Sequence, residues 1–258
     1  MNKLILSFLI IVVIVTSIMM LTGSEIVKNN QVYDRDNSGT YNDGFCNPKE
    51  NEVSDINFNS YILTVIEEYE RDGSYPYSWV NNYKGVSRDL YYNGTKIANA
   101  NPDSSHSTFC CGLTFEVYFR TIMKYYKDHG YPENINNMRA EDFNHFISLW
   151  FVQETKGDGP GIALETYGLG DKISNMSDVQ KGDFVQIWRT SGSGHSVIFI
   201  NWIISDEGDT TGMKYWSTQP GTNGANYNTE YFDGFGGKVD KAHTHYSRAK
   251  SPKDFIRF

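Results

Sequence analysis

The sequence predicts an α+β fold in which helices come first and an antiparallel β-meander follows. Apolar residues recur with helical spacing from Asp55 to Arg71 and again from near Cys110 to about His129. After a turn signal at residues 181–183, the chain takes on the pattern of strands. The helix that begins near Cys110 is therefore expected to pack on the sheet formed by these later strands.

The chain begins with an apolar segment, Leu4–Leu21, whose roughly 18 residues reach the lower limit for a membrane span. Gly23 and Ser24 follow it and permit a weak cleavage site. Residues 1–23 are thus predicted to be a signal peptide or an N-terminal membrane anchor, and both alternatives stay open. With either one, the rest of the chain works outside the cytoplasm, secreted or attached to the membrane.

Residues 24–53 are rich in Asn, Asp and Gly and are predicted to form a polar linker or arm. Within them, Asp34–Asp43 places oxygen ligands at alternating positions around a glycine, as a calcium loop of EF-hand type does. Phe45, however, occupies the position where that loop needs a bidentate Glu. A plain turn is favoured, and we predict no metal and no cofactor.

Residues 54–258 are predicted to form one domain, in which many aromatic side chains supply the apolar core. The formal net charge is −8, and the chain has no long cluster of Lys and Arg. Nucleic-acid binding needs concentrated positive charge, so this class of function is disfavoured. A monomer is expected.

Further elements follow in order along this domain. Asn81–Thr108 lacks periodicity and is predicted to be a long loop that lies over the active site. Two more helices are predicted, at Ala140–Glu154 and Ile162–Tyr167. Four strands follow them, at Phe184–Arg189, His195–Ile204, Met213–Gln219 and His243–Arg248. His243 and His245 share a face of the last strand, but no third ligand accompanies them, so no metal site is predicted.

Two cysteines, Cys110 and Cys111, stand where a turn-prone segment meets the long helix. The first N–H groups of a helix have no intrahelical acceptor and carry partial positive charge, which favours a thiolate there. In a regular helix Cys111 shares a stripe with Phe115 and Tyr118, whereas Cys110 shares a more polar stripe with Thr114 and Thr121. Cys110 is therefore the predicted nucleophile, facing the opening. A Cys46–Cys111 disulfide would leave Cys110 free, but the sequence leaves the pairing open.

Several short motifs occur in the chain order of papain-like cysteine hydrolases. Residues 109–113, Phe-Cys-Cys-Gly-Leu, resemble the Cys-Ser-Gly-Leu signature of NlpC-type and CHAP amidohydrolases, with Cys110 in the nucleophile position. Gly-Asp-Phe-Val at 182–185 and Gly-His-Ser-Val-Ile-Phe-Ile at 194–200 resemble the two strands that follow in that family. Pro-Tyr-Ser-Trp at 76–79 resembles the NlpC-type segment whose tyrosine lies beside the nucleophile.

The resemblance implies a papain-like fold and an amide hydrolase in which His195 takes the proton from Cys110. Tyr77 is the implied oxyanion donor, and Trp79 is an implied substrate-binding residue. The expected substrate is a peptide or peptidoglycan. A non-catalytic extracellular module that binds glycan or protein on the same fold, and a thiol acyltransferase, are the alternatives.

A third catalytic residue is expected on the strand Met213–Gln219. Gln219 is preferred because its amide can orient His195 as an asparagine does in papain-like enzymes. Ser217 is the second choice and is also expected at the substrate, and Asn201 is the third. The chain departs from the family pattern because no histidine lies between Ile200 and Gln219 and because the gap from Tyr77 to Cys110 is long.

Overall fold

The computed structural model describes residues 58–153 and 157–257. The predictions for residues 1–23, the linker and calcium loop, and Cys46 lie outside the described residues. The described elements in chain order are α1 (Phe58–Ile66), β1 (Leu90–Tyr92), β2 (Thr95–Ala98), α2 (Cys110–His129), α3 (Asp142–Trp150), α4 (Pro160–Thr166), β3 (Gly170–Ile173), β4 (Phe184–Trp188), β5 (Gly194–Ile204), β6 (Thr210–Gln219), β7 (Gly224–Tyr231) and β8 (His245–Ala249). Within this part of the chain, no helix is both long and apolar enough to cross a membrane.

The main sheet has six antiparallel strands in the order β3-β8-β4-β5-β6-β7. Strands β4, β5 and β6 form the predicted meander and β7 extends it, so the α+β class is confirmed. The sequence prediction missed β3 and β7, which are the two edge strands. Strand β3 has only four residues, and β7 contains Asn226 and Asn228, which are unfavourable for strands and hide its pattern.

Helix α2 is the central helix of the fold. It packs on α1 and on strands β5 and β6. Its side chains are buried along almost its whole length, including Leu113, Phe115 and Val117. It ends at Gly130, which adopts the left-handed conformation with φ 65° that closes many helices. Because this helix is held on several sides, its first residue has a fixed position relative to β5.

The segment 81–108 is not entirely the long loop that the sequence predicted. It contains the antiparallel hairpin β1–β2, and it contributes six of the buried apolar residues of the main core: Tyr83, Val86, Leu90, Tyr92, Ile97 and Ala98. Its position over the active site stays a prediction, but its buried residues show that the segment also belongs to the core. Its many polar Asn, Ser and Asp residues made the segment look like a loop in the sequence, although the short apolar runs between them are buried in the core.

A buried carboxylate joins this segment to α2. Glu116 is fully buried, and its two oxygens accept hydrogen bonds from the backbone N–H of Ser87 at 2.6 Å and from the Ser87 hydroxyl at 2.7 Å. The guanidinium groups of Arg88 and Arg120 lie 3.4 and 3.9 Å from Glu116 Oε1. These contacts compensate the carboxylate for its loss of water.

Replacement of Glu116 should therefore destabilise the whole domain. Glu116→Ala leaves the buried Ser87 donors without their acceptor and removes the negative charge beside Arg120, and we expect it to lower the free energy of unfolding by about 3 kcal/mol or more. Urea unfolding measures this difference. The control is Glu133→Ala, at an exposed position, which is expected to change stability by less than about 0.5 kcal/mol. Equal stabilities for the two variants would contradict the assigned role of Glu116.

Candidate active site

A cleft of about 640 Å³ lies where the start of α2 meets the start of β5 and the end of β6. Its lining includes the nucleophile and base that the sequence predicted, together with Tyr77, Trp79 and Gln219. The other lining residues are Cys111, Phe151, Val152, Gln186, Trp188, Arg189, Ser193, Gly194, Ser196, Pro220 and Gly221. Motifs separated by more than a hundred residues are thus brought into one cavity.

Cys110 is the first residue of α2, and Phe109 precedes it in an extended conformation. The first bond of the helix runs from Leu113 N–H to Phe109 C=O at 2.9 Å. The N–H groups of residues 110–112 therefore have no acceptor within the helix and point toward the cleft end. Cys110 is partly exposed, whereas Cys111 is buried, and both are free thiols.

The predicted exposure of Cys110 is confirmed, but the reason given for it is wrong. Thr114 and Thr121, which share its helical stripe, are fully buried. Thr114 Oγ1 lies 2.9 Å from Ser196 Oγ on β5 and accepts a hydrogen bond from Trp150 Nε1. The polar stripe faces the sheet, and Cys110 reaches the cleft because it stands at the end of the helix.

The start of α2 is held by the segment that precedes it. Backbone hydrogen bonds join Thr108 N–H to Pro76 C=O at 2.8 Å and Ser78 N–H to Thr108 C=O at 2.9 Å. Tyr77 and Thr108 thus pair as a short parallel bridge. This pairing, which the sequence did not reveal, places the Tyr77 side chain beside the thiol despite the long gap between them in the chain.

The pKa of Cys110 lies well below the ordinary value of a thiol. The largest influence is a hydrogen bond from the Cys111 thiol, which lowers the pKa. Burial acts in the opposite direction, and the hydrogen bond and positive charge offered by His195, with the Ser196 N–H, lower the pKa further. A lowered pKa increases the fraction of the thiol that is present as the reactive thiolate at a given pH.

Cys111 has the opposite behaviour. Burial raises its pKa well above the ordinary value, and the neighbouring Cys110 thiolate raises it further. Cys111 therefore keeps its proton and acts as a donor to Cys110. A serine hydroxyl at this position is also a donor, which is consistent with the serine of the family signature.

His195 is the second residue of β5, where it pairs with Ile187 of β4. It is only 4% exposed. It lines the cleft together with Cys110, and its hydrogen bond and positive charge are among the influences that lower the thiol pKa. Its second ring nitrogen, Nε2, is buried and has no hydrogen-bond partner among the described residues.

None of the three predicted third residues hydrogen-bonds this nitrogen. The paired register of β5 and β6 starts at Ile198 opposite Trp216, so the two strand ends that carry His195 and Gln219 lie beyond the ladder. Gln219 Oε1 lies 3.0 Å from the Tyr215 hydroxyl. Ser217 donates to the backbone oxygen of Ser196 at 2.7 Å.

Asn201, the remaining candidate, is exposed and pairs with Lys214 farther along the β5–β6 ladder. Gln219 is thus placed at the cleft without contacting His195, and Ser217 and Asn201 are not available to it. The period of two located the correct face of β6, but it did not show that the β5–β6 backbone pairing begins only at Ile198, three residues after His195.

Tyr77 and Trp79 both line the cleft. The pKa of Tyr77 is raised, first by burial and then by the negative charge of Cys110, so its hydroxyl stays a hydrogen-bond donor. Trp79 is 60% exposed and packs against Phe109, with 4.6 Å between ring centroids. An aromatic ring held at the rim of a cleft offers an apolar surface to a substrate.

The sequence analysis did not select the charged pair at the back of the cleft. Arg189 follows β4 and donates to both carboxylate oxygens of Glu230 on β7, at 2.7 and 2.6 Å. Because β7 was not predicted, nothing in the sequence indicated that Glu230 lies near Arg189. A Glu in a strand of otherwise uncharged residues was the only available signal.

The two histidines considered for a metal have acidic partners instead. His243 Nδ1 lies 2.7 Å from Asp240, and His245 Nδ1 lies 3.1 Å from Asp158. In the described ranges there is no group of three or more His, Cys, Asp or Glu side chains that could hold a metal ion.

Comparison with known proteins gives no match, whether to a family model, to a curated protein or to a solved structure. The function has to be argued from the site itself.

Proposed function

We propose that this chain is a cysteine amidohydrolase or peptidase of the papain-like superfamily that cleaves amide bonds through a thioester. The observation that carries the proposal is the nucleophile pair in the cleft. Cys110 stands at the start of a helix with a lowered pKa, and His195 of β5 lines the same cleft. The resemblance of the surrounding motifs to NlpC-type and CHAP enzymes supports the same reaction class.

The reaction follows from these groups. His195 accepts the thiol proton, and the Cys110 sulfur attacks the carbonyl carbon of the amide. The resulting oxyanion receives hydrogen bonds from the N–H of Cys110 and from the Tyr77 hydroxyl, and a donor of this kind is worth about 3 kcal/mol. His195 then gives the proton to the leaving amine. Water attacks the thioester and releases the acid, and the thiol is restored.

The cleft also bears on the substrate class. Its rim carries Trp79, and its walls carry Trp188, Phe151 and the amide of Gln186. Its guanidinium, Arg189, is already paired with Glu230. Such a lining favours a neutral part of a peptide over a strongly charged one. Peptide stems or cross-bridges of peptidoglycan are our substrate proposal, and the apolar N-terminal segment motivates a location outside the cytoplasm.

The direct test uses cell-wall sacculi. Purified protein is incubated with them under reducing conditions, over a range of pH and with calcium present, and newly formed free amines are measured. Release by the wild type and none by Cys110→Ala is the expected result. No release from sacculi or from a mixed peptide library would contradict the hydrolase. An added amine that appears joined to the cleaved product would instead identify an acyltransferase.

The competing function is a binding module that keeps the fold without the chemistry. The absence of a partner for His195 Nε2 among the described residues is the observation that favours it. A binding module does not require a thiolate. Its Cys110 would therefore react with iodoacetamide as slowly as a thiol of ordinary pKa does. Fast alkylation at about pH 6 would exclude this alternative.

A further inference from the structure

Since His195 Nε2 is buried and makes no hydrogen bond to a described residue, the imidazole ring has to be held in place by another contact. A general base that turns freely loses its alignment with the nucleophile, and third residues in such sites prevent that. Among the described side chains, the ring that lies against His195 is Tyr215 of β6. The two ring centroids are 5.5 Å apart, and the ring planes meet at 71°, which is an edge-to-face contact.

Tyr215 is itself fixed by a support network of four residues, comprising Tyr215, Asn228, Glu230 and Arg189. The Tyr215 hydroxyl donates to Glu230 Oε1 at 2.5 Å and accepts from Asn228 Nδ2 at 3.0 Å. Glu230 is in turn held by two hydrogen bonds from Arg189. The Tyr215 ring is fully buried, so the network determines both its position and its tilt.

The number of hydrogens on the Tyr215 hydroxyl determines which of its neighbours accepts a hydrogen bond from it. The Tyr215 hydroxyl has one hydrogen but two oxygen neighbours, Glu230 Oε1 at 2.5 Å and Gln219 Oε1 at 3.0 Å. The carboxylate is the stronger acceptor and is closer, so it takes the hydrogen. Gln219 then satisfies the hydroxyl by presenting its amide nitrogen, which turns its oxygen toward the cleft.

Charge acts in the same direction. Burial tends to raise the pKa of Glu230, but hydrogen bonds from Arg189 and Tyr215 and the charge of Arg189 outweigh burial and lower it. Glu230 therefore stays ionised behind the Tyr215 ring. Burial and the Glu230 charge together raise the pKa of Tyr215, which keeps its hydroxyl protonated. A fixed negative charge near His195 favours the imidazolium that forms when His195 takes a proton.

We infer that Tyr215, held by Glu230, is the positioning residue of His195 and takes the place that a hydrogen-bonding third residue has in papain-like enzymes. This inference rests on the proposed function. The Tyr215 ring fixes the imidazole against Cys110, and Glu230 supplies charge through the second layer. Gln219 acts at the cleft surface, with its amide oriented by Tyr215.

The test follows alkylation of Cys110 by iodoacetamide in the full chain, with the labelled site identified by mass spectrometry. Tyr215→Leu removes the ring and is expected to slow labelling about tenfold at about pH 6, with rates equal to wild type at about pH 10, where the thiol ionises without help. Tyr215→Phe and Glu230→Gln keep a ring in place and should slow labelling about threefold at the lower pH. The pH dependence of labelling can also be influenced by the other charged and titratable groups that face the Cys110–His195 pair. These groups are Cys111, Tyr77, Arg189, Tyr215 and Glu230.

The matched control is Tyr246→Leu. Tyr246 is a buried tyrosine in the same apolar cluster of the sheet, and it packs on Trp202 rather than on His195. It should lower thermal stability as Tyr215→Leu does and leave Cys110 labelling unchanged at both pH values. Wild-type labelling at about pH 6 in folded Tyr215→Leu, or the same loss at both pH values, would overturn the inference. If Tyr215→Leu does not fold, unchanged rates in Tyr215→Phe and Glu230→Gln would overturn it.

This experiment separates the two levels of the argument. Alkylation needs no substrate, so it reports on the nucleophile whatever bond the enzyme cuts. Slow labelling of the wild-type Cys110 would contradict the proposed function. Fast wild-type labelling without any effect of Tyr215 or Glu230 would contradict only the positioning role.

Discussion

Cys110→Ala is expected to abolish both fast alkylation and amide cleavage, lowering turnover by a factor of at least about 10³. Cys110 stands at the N-terminus of α2, is open to the cleft, and has a pKa lowered by Cys111 and His195. Loss of the nucleophile removes the covalent step itself. Mass spectrometry of the iodoacetamide adduct and free-amine release from sacculi are the two measurements.

The matched variant is Cys111→Ser. A serine hydroxyl replaces the thiol as a donor to Cys110 and occupies less volume, so labelling and turnover should persist with at most a modest loss from packing. His195→Ala completes the series and should slow labelling of Cys110 at about pH 6, because the positive partner of the thiolate is gone. A label on Cys111, with activity retained in Cys110→Ala, would show that Cys111 rather than Cys110 is the nucleophile.

Much of this site was predictable because local chemistry determines it. The sequence shows a glycine at position 130, which predicts the end of α2, and the structure has it in the left-handed conformation. The sequence also shows a thiol at the point where a turn meets a helix. The pattern of two along β5 and β6 similarly located His195 and the face that carries Tyr215 and Gln219. Such features depend on neighbouring residues, which a single sequence shows directly.

The contacts that bring some of these residues together were not visible in the sequence, and they have a different physical cause. Tyr77 reaches Cys110 through pairing with Thr108, and Glu230 reaches Tyr215 through an edge strand with a weak pattern. Both contacts are made by the tertiary fold, and no local spacing encodes them. The preference for Gln219 failed to account for the end of the β5–β6 backbone pairing at Ile198. Strand periodicity gives the face of a residue but not the distance across the strands.

Gly112, in the middle of the motif around the nucleophile, leads to the prediction with the largest effect on stability. A Cβ built on Gly112 would lie 2.2 Å from the backbone oxygen of Lys84 and 2.5 Å from that of Gly85. The segment 84–85 crosses directly over the first turn of α2, where Phe109 N–H donates to Gly85 C=O at 3.2 Å. Only a residue without a side chain permits this approach.

Gly112→Ala should therefore lower the free energy of unfolding by about 3 kcal/mol, because backbone cannot move aside as a flexible side chain does. Helix propensity alone predicts the opposite sign, a gain of about 1 kcal/mol for Ala over Gly. Urea unfolding of the variant decides between them. Since the displaced helix start carries Cys110, alkylation at about pH 6 should also slow in the folded fraction.

Gly221→Ala serves as the control, because no atom lies within 4 Å of a Cβ built there and its backbone does not need the left-handed region. Its stability is expected to stay within about 0.5 kcal/mol of wild type. A Gly112→Ala protein as stable as Gly221→Ala would mean that the segment 84–85 does not rest on α2. In that case the position of Cys110 would depend on the Tyr77–Thr108 pairing and on the packing of α2 against α1, β5 and β6.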